Sequence, residues 1–177
     1  MTERDSENLT VLIVEDSEDS RYFMRLELEQ LGYLVTEAED GAKAVEIALR
    51  ERPDVILMDL TLPVMDGLAA TAMIRNNEQM SKALIIAITA HQQTELRAQA
   101  KASGFDAYVT KPFEIPWLDE LIKGLLVCSP TSGLPVSNYK PPTLMVTDAP
   151  VIEIRDIRKI SELSALEDLQ KALAKLI

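Results

Sequence analysis

Three short apolar runs, residues 11–14, 55–58 and 84–88, contain no polar alternation. Unbroken, largely β-branched runs of this length suit strands buried on both faces of a parallel sheet. Two weaker runs, 33–36 and 107–109, predict flanking strands. Helical spacing fills the intervals. Met24, Leu28 and Leu31 repeat at i, i+4 and i+7, and Gly32 follows as a stop. Val45 and Leu49 share a helical face that must end before Pro53. Leu68, Thr71 and Ile74 predict a third helix, an Ala- and Gln-rich stretch over 92–102 a fourth, ended by Ser103 and Gly104. Trp117, Leu121 and Leu125 stripe a fifth, with Pro116 near its first turn. Strand followed by helix, five times over, predicts a doubly wound α/β fold with right-handed crossovers.

Sites in such folds lie beyond the carboxyl ends of the strands. The residues found there are Glu15 and Asp16 after the first run and Asp59 after the third. Thr89, Ala90 and His91 end the fourth, and Thr110, Lys111 and Pro112 end the fifth. Parallel adjacent strands would gather three carboxylates, a hydroxyl and a lysine at one edge. Each carboxylate pair about 4 Å apart costs roughly 4 kcal/mol at an effective dielectric near 20, so the group asks for a cation. Mg²⁺ takes hard oxygen ligands and keeps several waters, which leaves room for phosphate oxygens. An aspartate can itself be the nucleophile of phosphoryl transfer, with the lysine and hydroxyl contacting the remaining oxygens.

Each residue also has a plainer role open to it. Glu15 and Asp16 could begin an acidic helix N-terminus, since Ser17, Glu18 and Asp19 follow. Asp59 could cap a loop, Thr89 could bond backbone, Lys111 could be solvated, and Tyr108 could be a fixed core aromatic. His91 fits an exposed loop position better than a ligand. Asp66 and Gly67 fit a helix cap and a close packing contact.

Charge sharpens the domain boundary. Of the 18 basic and 29 acidic residues, 12 and 23 precede residue 128 and 6 and 6 follow, so the net −11 belongs to the first part. That balance argues against a nucleic-acid surface. The single cysteine, Cys128, excludes an internal disulfide framework and fits a reducing compartment. No apolar run is long enough to span a bilayer, and the polar, acidic start is no secretory signal. A cytoplasmic location follows as an expectation.

Four segments, VLIVED at 11–16, LMDLTLPVMDG at 57–67, ITA at 88–90 and KPF at 111–113, resemble the CheY-like receiver domains of bacterial two-component response regulators in order and spacing. The resemblance spans about residues 9 to 127. It implies the flavodoxin-like strand order 2-1-3-4-5. It also implies that Asp59 is the phospho-acceptor and that Asp16 is the main Mg²⁺ ligand. Glu15 would then act through water, and Thr61 would lend its backbone carbonyl. Thr89 and Lys111 contact the phosphoryl oxygens, or Lys111 pairs with Asp59 beforehand. Tyr108 rotates inward when Thr89 moves, and Lys111–Pro112 is a cis bond. Thr61 and His91 fall at the positions thought to govern how long the phosphoryl group survives. The implied donor is a sensor histidine kinase or a histidine phosphotransfer protein, and the implied output is contact with a downstream protein. The chain would catalyse only its own phosphorylation and dephosphorylation.

The remainder divides into a Pro-rich linker or arm, 128–150, and a short strand plus amphipathic helix, 151–177. Prolines 130, 135, 141 and 142 mark the linker. Ser164 and Glu167 fit a capping box, and Leu166, Leu169, Leu173 and Leu176 follow a coiled-coil seam of barely two heptads. That helix docks on its own receiver, joins a homodimer or partner, or belongs to a truncated or disordered tail; a homodimer could alternatively use the fourth-helix, fifth-strand, fifth-helix face. Two rivals stand beside the phospho-switch. An aspartate-nucleophile phosphatase would want an aspartate where Thr61 stands. A receiver-like binding module could signal without phosphorylation.

Overall fold

The computed structural model describes residues 9–90 and 94–128. The expected strand over part of 151–177, the leucine-seam helix, His91 and the expected linker beyond Cys128 lie outside the described residues; Cys128 itself ends the last helix. Within them the order is β1 (Thr10–Val14), α1 (Glu18–Gln30), β2 (Leu34–Ala38), α2 (Gly41–Glu51) and β3 (Val55–Asp59). There follow α3 (Gly67–Arg75), a short 3-10 turn (Glu78–Met80), β4 (Leu84–Thr89), α4 (Thr94–Ser103), β5 (Ala107–Thr110) and α5 (Ile115–Cys128). The sheet is five-stranded in the order β2-β1-β3-β4-β5, with every pair parallel. The strand-and-helix alternation and the 2-1-3-4-5 order are thus as the sequence implied.

Two apolar layers sandwich the sheet. Leu12, Val14, Ile56, Met58, Ile85, Ala87 and Tyr108 face the small residues of α2, α3 and α4, among them Ala44, Ala48, Ala70 and Ala100. Their neighbours Val11, Ile13, Val55, Leu57, Ile86, Ile88 and Val109 face Met24 and Leu28 of α1 and Leu118, Leu121, Ile122 and Leu125 of α5. β3 and β4 are buried at every position, the burial expected of central parallel strands.

The helix ends follow their capping chemistry. Ser17, Asp40 and Asp66 accept backbone N–H bonds at the starts of α1, α2 and α3. Gly32, at φ 91°, turns the chain after α1. Two expected core positions are corrected here. Leu31 and Leu49 are exposed, because α1 closes one residue before Leu31 and the buried side of α2 is Ala44, Val45 and Ala48. Arg75 ties the opposite end of the sheet together. It donates to the carbonyls of Gly104 (2.8 Å), Ala83 (2.7 Å) and Met80 (3.2 Å) and pairs with Asp106, which also accepts from Ile85 N.

Tyr33 and Asp119 form a buried polar bridge between the α1–β2 corner and α5. The phenol donates to Asp119 Oδ1 at 2.6 Å, and Lys123 Nζ holds Oδ2 at 2.7 Å. Burial, then the bond to Asp119, raises the phenol above its ordinary range. A raised folded value means that the bridge's contribution is complete below the ordinary tyrosine value near pH 10 and is lost as pH rises toward the folded one. Tyr33→Phe is expected to cost about 1–3 kcal/mol at neutral pH, since Asp119 loses a buried donor. Urea unfolding above pH 10 should show the gap between the two proteins narrowing.

The loop from β3 to α3 carries one strained residue. Val64 has φ 65°, and Met65 N–H donates to the Pro63 carbonyl at 2.6 Å across it. The side chain is 87% exposed, so no packing repays a left-handed β-branched residue. Val64→Gly is therefore expected to raise the urea unfolding free energy by about 1 kcal/mol, the relief of left-handed strain less glycine's entropy cost.

Candidate functional site

The parallel register delivers the strand-end residues to one edge. Val14 lies beside Met58, which places Glu15 next to Asp59. Asp59 lies beside Ile88, so Thr89 is one residue beyond it on the next strand. Thr89 in turn pairs with Thr110, and Lys111 follows, its N–H donating to the Thr89 carbonyl at 2.8 Å.

Glu15, Asp59 and Lys111 share the α1–α5 side of the sheet and meet. Lys111 Nζ lies 2.5 Å from Glu15 Oε2 and 2.8 Å from Asp59 Oδ2, bridging two carboxylates from neighbouring strands. Asp59 Oδ1 accepts the Thr61 N–H at 2.8 Å. Both acids are buried, Glu15 at 4% and Asp59 at 7% exposure. Burial is the main cause that lifts the Glu15 carboxyl above its usual range; Asp59 adds to it and Lys111 opposes it. Burial alone would lower the Lys111 ammonium, but its bonds and charges with Asp59 and Glu15 outweigh that and raise it. The ammonium is thereby held charged between its two partners.

Asp16 stands apart. It is exposed, and its carboxylate has no hydrogen-bond or ion-pair partner among the described residues. The expectation of three carboxylates converged in one pocket is met only in part. No three acidic, histidine or cysteine groups among the described residues close on a point at metal-ligand spacing. Lys111 bridges Glu15 and Asp59, while Asp16 stands exposed beyond them. The donor set nonetheless fits a divalent cation. Three carboxylates against one ammonium leave two uncompensated negative charges, all the donors are hard oxygens, and Mg²⁺ is usually held by one or two carboxylates with waters completing its shell.

Thr89 is fully buried at the end of β4, on the face opposite that of Asp59 and alongside Ala87. Tyr108 pairs with Ala87 in register and sits on that same face, buried in the core. The movement expected of Tyr108 would therefore start from a side chain that is already buried. Thr61 is exposed at the rim, and Lys111–Pro112 is cis. Gly67 lies directly under the acceptor strand: its N–H donates to the Leu60 carbonyl at 3.1 Å, and a Cβ there would overlap the Asp59 carbonyl oxygen. Two features escaped the sequence reading. Arg21 reaches back from α1 to the acid loop, and an arginine in an amphipathic helix gives no signal of its own. Val64 adopts a positive φ that its residue type disfavours.

Sheet order and edge chemistry together define a flavodoxin-like α/β domain with an acid–lysine site at the carboxyl ends of its strands. The chain belongs to the response regulator receiver domain family, whose profile matches residues 11–123. It is 38% identical over 116 residues to the chemotaxis protein CheY of Halobacterium salinarum, covering 66% of this chain and 95% of that one. It is 33% identical over 117 residues to the polar-differentiation response regulator DivK of Brucella anthropi, with 66% and 95% covered. Among solved structures, CheY4 of Vibrio cholerae is similar at a TM-score of 0.62 and 31% identity, over 65% of this chain and 96% of that one. The receiver domain of sensor histidine kinase PA1611 from Pseudomonas aeruginosa is similar at 0.62 and 38% identity, over 66% and 95%, and its structure has a magnesium ion coordinated in the active-site cleft. The family is that of the phospho-accepting regulators of two-component systems.

Proposed function

We propose that this chain is a Mg²⁺-dependent phospho-switch whose acceptor is Asp59. The observation that carries the reading is the Lys111 ammonium bridging Asp59 and Glu15 at the edge where neighbouring strands end. It pre-pairs a cation with the place where phosphoryl charge arrives. The Asp59 Oδ2 side attacks phosphorus in line while the bond from phosphorus to the donor's imidazole nitrogen breaks. The freed nitrogen takes a proton from water. Catalysis is positioning and charge neutralisation, which suits a loose phosphoryl-transfer transition state. Asp16, Asp59, the Thr61 carbonyl and, through water, Glu15 would hold Mg²⁺. The ion when bound offsets the charge of the acids and of the phosphoryl oxygens.

The donor is a sensor histidine kinase or a histidine phosphotransfer protein in the cytoplasm. Exposed Tyr22, Phe23 and Leu26 on α1, with Phe23 at 62%, give such a partner an apolar landing face beside the acids. The magnesium in the similar receiver domain of PA1611 and the relatedness to CheY and DivK support the same reading. Phosphorylation adds roughly −1.5 to −2 charge at Asp59. Lys111 and Thr89 turn to the new oxygens, with Tyr108 held inward behind Thr89. The face made of α4, β5 and α5 then presents a different surface to a downstream protein. A complete switch needs about 5.5 kcal/mol of differential stabilisation, part of it from these charge-assisted bonds. The chain is a signalling module whose only chemistry is on itself.

The 177-residue chain given a small phosphodonor and Mg²⁺ should gain one acid-labile phosphoryl group by intact mass, and excess chelator should prevent it. Mg²⁺-independent labelling, or none under any condition, would remove the reading in favour of a binding module that signals without phosphate.

A further inference from the structure

Arg21 belongs to the first turns of α1, yet its side chain points back along the chain. Nη1 donates to the Glu15 carbonyl oxygen at 2.7 Å and to the Asp16 carbonyl oxygen at 3.3 Å. Nε lies 3.5 Å from Glu37 Oε1 on β2, whose other oxygen is 3.2 Å from Arg25 Nη1. The Arg21 side chain is only 14% exposed; its bond to the Glu15 carbonyl is part-buried and its bond to the Asp16 carbonyl is exposed. The two acids it touches sit between elements: β1 ends at Val14, and Ser17 caps α1. Glu15 has a second tether, its N–H bonding the Ala38 carbonyl at 3.1 Å. Asp16 has none; among the described residues its one hydrogen bond is the one Arg21 donates.

From this we infer that Arg21 is a positioning residue for divalent-cation binding, braced by Glu37, and that it acts through the backbone of Asp16. The inference rests on the proposed function, since it concerns the cation that function requires. An exposed carboxylate on an untethered loop residue must be ordered when the ion binds. Fixing one residue's backbone carries an entropic cost. A guanidinium can bond two carbonyls and a carboxylate at once because its donors form a rigid planar fork, which an ammonium cannot match. The arginine meets that ordering cost in the folded chain, before the ion arrives.

The test uses the full chain, with Mg²⁺ alone titrated by calorimetry and the labelling rate from a small phosphodonor followed across Mg²⁺ concentration. Arg21→Met is expected to weaken Mg²⁺ binding about tenfold, on the scale of one residue's ordering entropy. The rate at saturating Mg²⁺ should return to near wild type. Arg21→Lys should fall between the two, and Glu37→Gln should weaken binding less than Arg21→Met. A merely structural role would lower the saturating rate and leave the Mg²⁺ dependence where it was, and that result overturns the inference. So does wild-type Mg²⁺ affinity in Arg21→Met. Should Arg21→Met not fold, Arg21→Lys and Glu37→Gln decide it: a shift in Mg²⁺ affinity supports the inference, and unchanged affinity in both ends it. A wild-type chain that binds no Mg²⁺ removes the proposed function itself and this inference with it.

Discussion

Asp59→Asn is expected to leave a folded chain that takes up no phosphoryl group from a small phosphodonor at any Mg²⁺ concentration. The substitution is nearly isosteric, and the amide oxygen can still accept the Thr61 N–H that Oδ1 accepts now. What disappears is the anionic oxygen at 2.8 Å from Lys111 Nζ. An amide is not a nucleophile toward phosphorus, so the loss is complete rather than graded. Stability should move by less than about 1 kcal/mol, because two effects oppose. Lys111 loses one charge-assisted partner, worth about 1.5–3 kcal/mol where such a bond is made in full. Glu15 loses the neighbouring charge that helps hold its carboxyl high, and Lys111 then serves one acid in place of two. Intact mass after donor treatment, with urea unfolding of the same preparations, separates chemistry from folding. Labelling at wild-type stoichiometry in the variant would place the acceptor on another residue.

The architecture was legible because burial on both faces makes parallel strands read as unbroken apolar runs. β1, β3 and β4 announced themselves that way, and the weaker edge strands β2 and β5 were found from their place in the alternation. Helix faces were less legible. Leu31 and Leu49 continue an apolar period, but periodicity cannot tell that α1 closes at Gln30 or that alanines suffice for the close approach of α2 to the sheet. At the site, residues just past the strands were identifiable because register alone carries Glu15, Asp59 and Lys111 to one edge. Which of them touch was not, since side-chain reach decides it. Lys111 is long enough to span both acids, whereas Asp16, one residue on, turns outward. Arg21 and the Tyr33–Asp119 bridge were invisible for a related reason. Each links residues through side chains whose type is as common on any solvated helix or loop.

Gly67→Ala is expected to be severely damaging for the addition of a single methyl. Gly67 opens α3, one residue after the cap Asp66, and packs its α-carbon against the strand end that carries the acceptor. A Cβ would overlap the carbonyl oxygen of Asp59 and stand 3.0 Å from both Asp59 C and Leu60 Cα. All three neighbours are backbone, so no rotamer change can relieve the contact. Either the start of α3 lifts away, breaking the Gly67 N–H bond to the Leu60 carbonyl at 3.1 Å, or β3 shifts. Overpacking where side chains can adjust costs about 1–3 kcal/mol. Here the cost should be at the top of that range or beyond it, a large share of a domain's total stability. The functional loss should exceed what stability explains. Asp59, Thr61 and Lys111 are held by bonds of 2.8 Å, and a displacement of even 1 Å at a phosphoryl-transfer site can cost about a hundredfold in rate. A substitution at Asp66 cannot serve as the control, because that side chain is itself the α3 cap. The useful control is Ala69→Gly, an exposed site in the same helix, where glycine costs about 1 kcal/mol without touching β3. Labelling rates compared under conditions where both variants are fully folded should show Gly67→Ala slowed far more than Ala69→Gly. Equal rates would mean that the contact beneath Asp59 serves packing alone.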